Sequence, residues 1–200
     1  MRPGRVKGVS DKQTNDPEYV VLLDEQAQPT GAELKSEVHT DRTPYHLAFS
    51  SYILNAQGQI LITRRALSKV AWPGVWTNSA CGHPGLVADG QPESFTDTII
   101  RRAEQELGTT VTNIRRVLAD FSYRAVDASG IVEWEFCPVF VADSAGDVNP
   151  QEDEVCDYRW VAPADLFAAV DATPWAFSPW MVEQLMHREL RVALTESQAD

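Results

Sequence analysis

Two glutamates stand two residues apart in the run Ile131-Val-Glu-Trp-Glu-Phe-Cys-Pro-Val-Phe-Val141. Read as one extended strand, its side chains alternate between faces. Val132, Trp134, Phe136 and Phe140 then form a packing face. Ile131, Glu133, Glu135, Cys137, Val139 and Val141 share the other. Like charges at that spacing repel unless something positive lies between them. An edge strand with one wet face accounts for the pattern equally well. The chain's four histidines are His39, His46, His83 and His187. His46 opens an apolar strand, His39 lies on the turn before it, and His83 sits in a loop rich in Gly, Pro and Trp. Singly, each is more often a cap or a core residue. Together with Glu133 and Glu135 the first three make a mixed N/O donor set for a divalent transition metal such as Zn²⁺ or Mn²⁺. His187, on an amphipathic C-terminal stretch, reads as a surface residue.

Cys81 precedes His83 by two, so on an extended stretch both face one cavity. Beside a metal or a cation a thiol has a lowered pKa and exchanges protons near neutrality. The alternative is a small buried hydrophobe, the preferred reading for Cys137 and Cys156. Residues 93–107 read as a helix, with Phe95, Ile99, Ala103 and Leu107 recurring at i+4 and Gly108 as its stop. With Ile99 as the centre of the buried face, Glu106 falls about 20° and Arg102 about 60° away. A carboxylate in an apolar sector needs a counter-charge. An ion pair with Arg102 and a metal-ligand role for Glu106 both satisfy that need. The segment Arg64-Arg-Ala-Leu-Ser-Lys69 concentrates positive charge and suggests a local anion site with bidentate phosphate contacts; solvated strand-end charges are the alternative.

These residues need a scaffold. The chain has 200 residues, 44% of them hydrophobic, enough to bury a core as one domain without disulfides. No apolar run approaches the ~18 residues of a membrane span. The opening residues hold no apolar signal segment, and three cysteines are an odd, sparse set. Both features fit a cytoplasmic protein. A net charge of −12 argues against nucleic-acid binding through a broad basic surface. Residues 1–17 read as a flexible tail, 18–190 as the domain and 191–200 as a C-terminal tail. A hairpin is expected over 46–54 and 59–64, with strands near 114–123, 131–141 and 154–161 and helices over 163–170 and 179–194. Strand clusters interrupted by helices predict an α/β or α+β domain with a mixed sheet.

Four segments together are specific: Thr63-Arg-Arg-Ala-Leu-Ser-Lys69, Ala71-Trp-Pro-Gly-Val-Trp-Thr-Asn-Ser-Ala-Cys-Gly-His-Pro84, Gly130-Ile-Val-Glu-Trp-Glu135 and Asp171-Ala-Thr-Pro-Trp-Ala-Phe-Ser-Pro-Trp180. They closely resemble the type I isopentenyl diphosphate isomerases, over about Tyr19 to Arg188. The resemblance implies a Nudix fold, a mixed β-sheet sandwiched between helices. Region 93–108 resembles a degenerate Nudix box. Where a Nudix hydrolase has R-E-x-x-E-E, this chain reads Arg101, Arg102, Gln105 and Glu106 at the specified positions. Glu106 alone remains of the three carboxylates, too few to assemble a hydrolytic site with several metal ions. Diphosphate as a handle is favoured over diphosphate as the reacting bond.

By the family pattern His39, His46, His83, Glu133 and Glu135 match the ligands of one metal (Mn²⁺ or Zn²⁺). Glu106 and the main-chain carbonyl of Cys81 match those of a Mg²⁺ shared with the diphosphate. Lys35, Arg65, Lys69 and Arg102 match diphosphate contacts. Cys81 and Glu135 match the acid/base pair, with Tyr123 assisting and Trp180 over the carbon skeleton. The implied reaction interconverts isopentenyl and dimethylallyl diphosphate through a tertiary carbocation, with Cys81 acting as a thiolate. The expected partner is a prenyl diphosphate, with neither nucleic acid nor membrane, on a monomer or weak homodimer. The alternatives are a Nudix pyrophosphohydrolase of nucleoside diphosphate derivatives and a non-catalytic binding module.

Overall fold

Stretches such as Phe49–Leu54 and Val139–Ala142 are unbroken runs of buried residues, as expected of strands covered on both faces. The computed structural model describes residues 18–87 and 90–196; the expected tail 1–17 and residues 197–200 lie outside the described residues. In chain order the elements are β1 (Tyr19–Leu23), β2 (Pro29–Leu34), α1 (Lys35–Val38), β3 (His46–Leu47), β4 (Phe49–Leu54), β5 (Ile60–Arg65), β6 (Trp76–Thr77) and β7 (Ala80–Gly82). There follow α2 (Phe95–Leu107), β8 (Val111–Leu118), β9 (Ser122–Val126), β10 (Val132–Phe136), β11 (Val139–Ser144) and β12 (Val155–Val161). The chain closes with α3 (Pro163–Ala172), a 3₁₀ turn, α4 (Pro179–Leu185) and α5 (Arg188–Glu196). No described helix is long and apolar enough to cross a membrane.

Two mixed sheets result, ordered β2-β1-β3-β10-β9 and β12-β5-β4-β11-β8. Side chains of β4 serve both faces of the second sheet. Tyr52 and Leu54 pack toward Leu166, Leu185 and Leu190 of α3, α4 and α5, while Phe49 and Ile53 pack on Ile99 and Leu107 of α2. The expected α+β sandwich is present.

Two segments, 46–54 and 132–144, run parallel and pass together from the first sheet into the second. β3 pairs with β10, and β4 with β11. The change of sheet falls at Ala48 on one segment and at Cys137-Pro138 on the other. Pro138 has no N–H to continue a ladder, and its carbonyl instead accepts from Ser50 N at 3.1 Å. The strand expected over 131–141 is therefore two strands in different sheets. The one expected over 114–123 is likewise divided, into β8 and β9.

The hairpin of β4 and β5 is paired at its turn, Leu54 to Ile60, and then opens. The Trp-rich segment returns into the gap, with β6 on β5 and β7 on β4. The expected helix 179–194 divides at Met186–His187 into α4 and α5. The boundary expected at 190 is corrected. α5 continues to Glu196 because Leu190 and Leu194, one turn apart, are both fully buried in the core.

α2 positions Arg102 and Glu106, and its two ends are well determined. Ser94 Oγ caps the first turn, accepting from Asp97 N at 3.1 Å. Gly108 ends the helix at φ +59°. A Cβ on Gly108 would lie 2.5 Å from the Asn149 carbonyl oxygen. Strain and clash together lead us to expect Gly108→Ala to cost at least ~2 kcal/mol in urea unfolding. A loss below ~0.5 kcal/mol would refute this account of the helix stop.

Candidate active site

Parallel pairing sets His46 directly opposite Glu135, and the antiparallel neighbour β9 sets Tyr123 opposite Glu135 on the other side. Directly opposed residues share a face, so His46, Glu135 and Tyr123 form one rung across three strands. Glu133 lies two residues back on the same face of β10, as the alternation predicts. The wet-edge alternative fails, because Glu133 and Glu135 are both buried.

The Tyr123 hydroxyl lies 2.7 Å from Glu133 Oε2 and 2.9 Å from Glu135 Oε2. Its one hydrogen serves only one of them, so a proton on the other carboxyl completes the set. Burial, followed by the charge of Glu135, pushes Glu133 up to about 7, which makes it the holder of that proton. Burial also acts to raise Glu135, but hydrogen bonds from His46 and His83 outweigh it and hold this carboxyl well below its usual range. Burial, with the two glutamates close by, raises the Tyr123 phenol well above its ordinary value.

His39, His46, His83 and Glu135 each offer a ligand atom, all within 4.8 Å of one another. His46 Nδ1–H donates to the Pro44 carbonyl at 2.8 Å, which points Nε2 into the cluster. His46 Nε2 lies 3.2 Å from His83 Nε2 and 3.4 Å from Glu135 Oε1, and His83 Nε2 is 3.2 Å from the same oxygen. Atoms about 2.1 Å from a common cation in tetrahedral or octahedral geometry stand about 3.0–3.4 Å apart. The triangle has that size, its atoms bridged by imidazole protons where no cation lies among them. The residues present fit a divalent metal. Glu133, expected as a further ligand, is held by Tyr123 one step away from this group of four.

Cys81 and its carbonyl arrive on β7, where Cys81 pairs with Ser50. Burial pushes its thiol up to about 12 in the metal-free fold, which favours the neutral thiol there over the expected thiolate. Sγ–H donates to Asn78 Oδ1 at 3.2 Å, and Ser50 Oγ lies 3.4 Å away. Cys137 is buried as expected, whereas Cys156 is exposed at a bulge of β12, a second correction. His187 is exposed, as expected.

A cavity of about 270 Å³ is lined by Cys81, His39, His83, Glu133, Glu135, Tyr123 and Trp180, and also by Lys35, Arg65, Lys69, Arg102 and Glu106. Arg65 and Lys69, expected at an anion site, thus both line this cavity. Arg64, by contrast, is exposed and donates to the Gly74 carbonyl. Each of three cations faces a carboxylate: Lys35 with Glu18 at 2.6 Å, Lys69 with Glu154, and Arg102 with Glu106. Arg65 donates to the Ala71 carbonyl at 2.8 Å and lies over the Trp180 ring at 5.7 Å. Burial outweighs Arg102 and holds the Glu106 carboxyl above its usual value. Gly82 lets α2 approach β7 closely, for a Cβ there would lie 3.2 Å from Arg102 Cγ.

A model of the NUDIX domain matches residues 44–181. Among curated relatives, the isopentenyl-diphosphate Delta-isomerase of Kocuria rhizophila is 58% identical, over 91% of this chain and 98% of its own length. That of Corynebacterium diphtheriae is 56% identical, over 92% and 100%, and that of Escherichia coli 54%, over 89% and 95%. The chain belongs to the isopentenyl-diphosphate Delta-isomerase family of Nudix proteins. A crystal structure of a Deinococcus radiodurans protein shares the fold at a TM-score of 0.62 with 20% identity, covering 84% of this chain and 98% of the other. The MutT protein of Methanosarcina mazei does so at 0.54 with 19% identity, over 75% and 96%.

Within this isomerase family member, both readings of Glu106 are compatible with the geometry, since the carboxylate pairs with Arg102 and also faces the cavity that Cys81 lines. Glu154 and Asn78, which touch this machinery, escaped the sequence reading. Glu154 lies in a polar stretch like any surface loop, and Asn78 carries no signal beyond its place in the Trp-rich segment.

Burial first, then neighbouring charge, lowers His39 to about 4, and burial lowers His83 to about 3, against an ordinary 6.5. Below that value the unfolded chain binds protons that the metal-free fold refuses, so stability from these groups is complete above pH ~6.5 and is lost toward pH 3–4. Glu133 acts oppositely but is common to wild type and variant. From pH 7 to pH 4.5 the metal-free wild type should lose denaturation midpoint relative to His83→Gln. A constant difference would refute the neutral buried imidazole.

Proposed function

We propose that this chain interconverts isopentenyl diphosphate and dimethylallyl diphosphate, with Cys81 and Glu135 as the acid/base pair. The observation that carries the reading is a single cavity in which a thiol, a carboxylate backed by a phenol, and an indole adjoin four cationic side chains. The relatives' shared name, at 53–58% identity, supports the same reaction.

Lys35, Arg65, Lys69 and Arg102 bind and orient the diphosphate, exchanging their carboxylate partners for phosphate oxygens of higher charge. The donor sets suit Mn²⁺ or Zn²⁺ at His39, His46, His83 and Glu135, with Glu133 joining as a further ligand on loss of its proton, and Mg²⁺ at Glu106 and the Cys81 carbonyl. When bound, these ions supply Lewis acidity to the Glu135 carboxyl and neutralise the diphosphate.

An alkene is a feeble base, so protonation needs a positioned acid and a shielded cation. A proton goes to the terminal methylene carbon and leaves a tertiary cation. Loss of a proton from the neighbouring methylene then forms the internal double bond. Cys81 and Glu135 divide these two steps, one as proton donor and the other as acceptor. The roles exchange on return. Tyr123 holds the Glu135 carboxyl in place and passes its hydrogen bond to Glu133 as charge changes. The buried indole of Trp180 faces the cation and excludes water, worth about 1–2 kcal/mol in cation–π attraction.

Cys81→Ala and Glu135→Gln should each lower turnover by about 10²–10⁴-fold, followed by NMR of products in D₂O with Mg²⁺ and Mn²⁺. Wild-type turnover in either variant would refute the pair. Release of inorganic phosphate or pyrophosphate would favour hydrolysis instead, a reaction for which the helix retains one of the expected carboxylates.

A further inference from the structure

Asn78 is fully buried behind the cavity wall. Its Nδ2 donates to the Ser51 and Ala80 carbonyls, both at 3.0 Å. Its Oδ1 accepts from three donors: Trp180 Nε1 at 3.0 Å, Cys81 Sγ at 3.2 Å and Thr77 Oγ1 at 2.9 Å. A flipped amide would set two donors against Trp180 N–H and two acceptors face to face, so the orientation is over-determined. One oxygen thus ties the thiol on β7 to the indole on α4, residues remote in sequence.

The grip on the sulfur has two sides. Gln184 Nε2 donates to Ser50 Oγ at 2.9 Å, which leaves the Ser50 hydrogen for a sulfur, Cys81 or Cys137, each at 3.4 Å. Without Asn78 the thiol would keep Ser50 but lose its acceptor, and the indole would lose its N–H partner while its ring keeps contacts with Trp72, Tyr123 and Arg65. We propose that Asn78 is a positioning residue for the isomerisation, setting the thiol of Cys81 and the indole of Trp180 relative to each other through its single amide oxygen. This role rests on the acid/base reading above. It requires two consequences of removing the oxygen. Proton transfer slows while diphosphate binding is untouched. A loosened indole also admits water, whose oxygen bonds to the tertiary carbon as one water proton leaves, so that the product is a tertiary alcohol diphosphate.

Asn78→Ala and Asn78→Asp separate this role from a purely structural one. Both lose the Nδ2 bonds to the two carbonyls, and only the Asp variant keeps an acceptor oxygen toward Cys81 and Trp180. With isopentenyl diphosphate and saturating Mg²⁺ and Mn²⁺, Asn78→Ala should lower kcat about 10- to 100-fold with KM within about twofold, and raise the alcohol fraction seen by NMR. Asn78→Asp should recover most of kcat and the wild-type product ratio. Equal kcat in the two variants, or a KM that changes as much as kcat, overturns the proposal. If Asn78→Ala does not fold, the Asp variant decides alone: kcat within about tenfold of wild type supports the role, and a larger loss overturns it. Turnover surviving in Cys81→Ala would sink the acid/base reading itself. Indifferent Asn78 variants beside an inactive Cys81→Ala would sink only the positioning role.

Discussion

Parallel hydrogen bonding between two segments that change sheets together is the constraint on which the site depends. Because β3 lies beside β10, His46 meets Glu135; because β4 lies beside β11 just beyond, Ser50 lies next to the sulfur of Cys137 and, through β7, to that of Cys81. A slip of one residue in either pairing would turn His46 or Ser50 to the opposite face. Pro138 helps prevent such a slip by ending one ladder where the next begins. His46, Glu135 and Ser50 are therefore parts of one register fixed by backbone bonds, while His39 and His83 join them from the ends of α1 and β7.

Opposed charges share the cavity. The chain carries a net charge of −12, yet Lys35, Arg65, Lys69 and Arg102 all line it, three of them held by Glu18, Glu154 and Glu106. Carboxylate partners keep these cations from standing unpaired in a half-buried site, where desolvation would be costly. A diphosphate offers them more charge and more acceptor atoms. In the same cavity three imidazoles and Glu135 bring their ligand atoms within 4.8 Å of one another, an arrangement that suits a divalent cation. The half-buried Cys81 thiol and the buried Trp180 indole complete the lining.

Much of this was legible in the residues. The two-residue spacing of Glu133 and Glu135 put both on one face, and the helical period put Arg102 and Glu106 on the buried side of α2. Both inferences rest on local geometry, which a chain carries wherever it folds. The continuous strand over 131–141 was not correct, because apolar alternation runs on through Pro138 and gives no sign that two sheets divide there. Cys156 looked like Cys137 for the same reason: its exposure arises from a bulge against β5, a feature of pairing and not of composition.

What the sequence determined by itself was the chemistry available and the face each residue takes on its own element, since period two and period 3.6 are properties of the backbone. The resemblance carried by the Trp-rich and Glu-Trp-Glu segments extended that to a family and a reaction. Only the tertiary structure decided that Tyr123 bridges two carboxyls, that burial raises the Cys81 thiol, and that Asn78 joins it to Trp180. Hydrogen-bond partnership and desolvation depend on which distant segments come within 3 to 4 Å, and nothing in a linear order of residues encodes that distance.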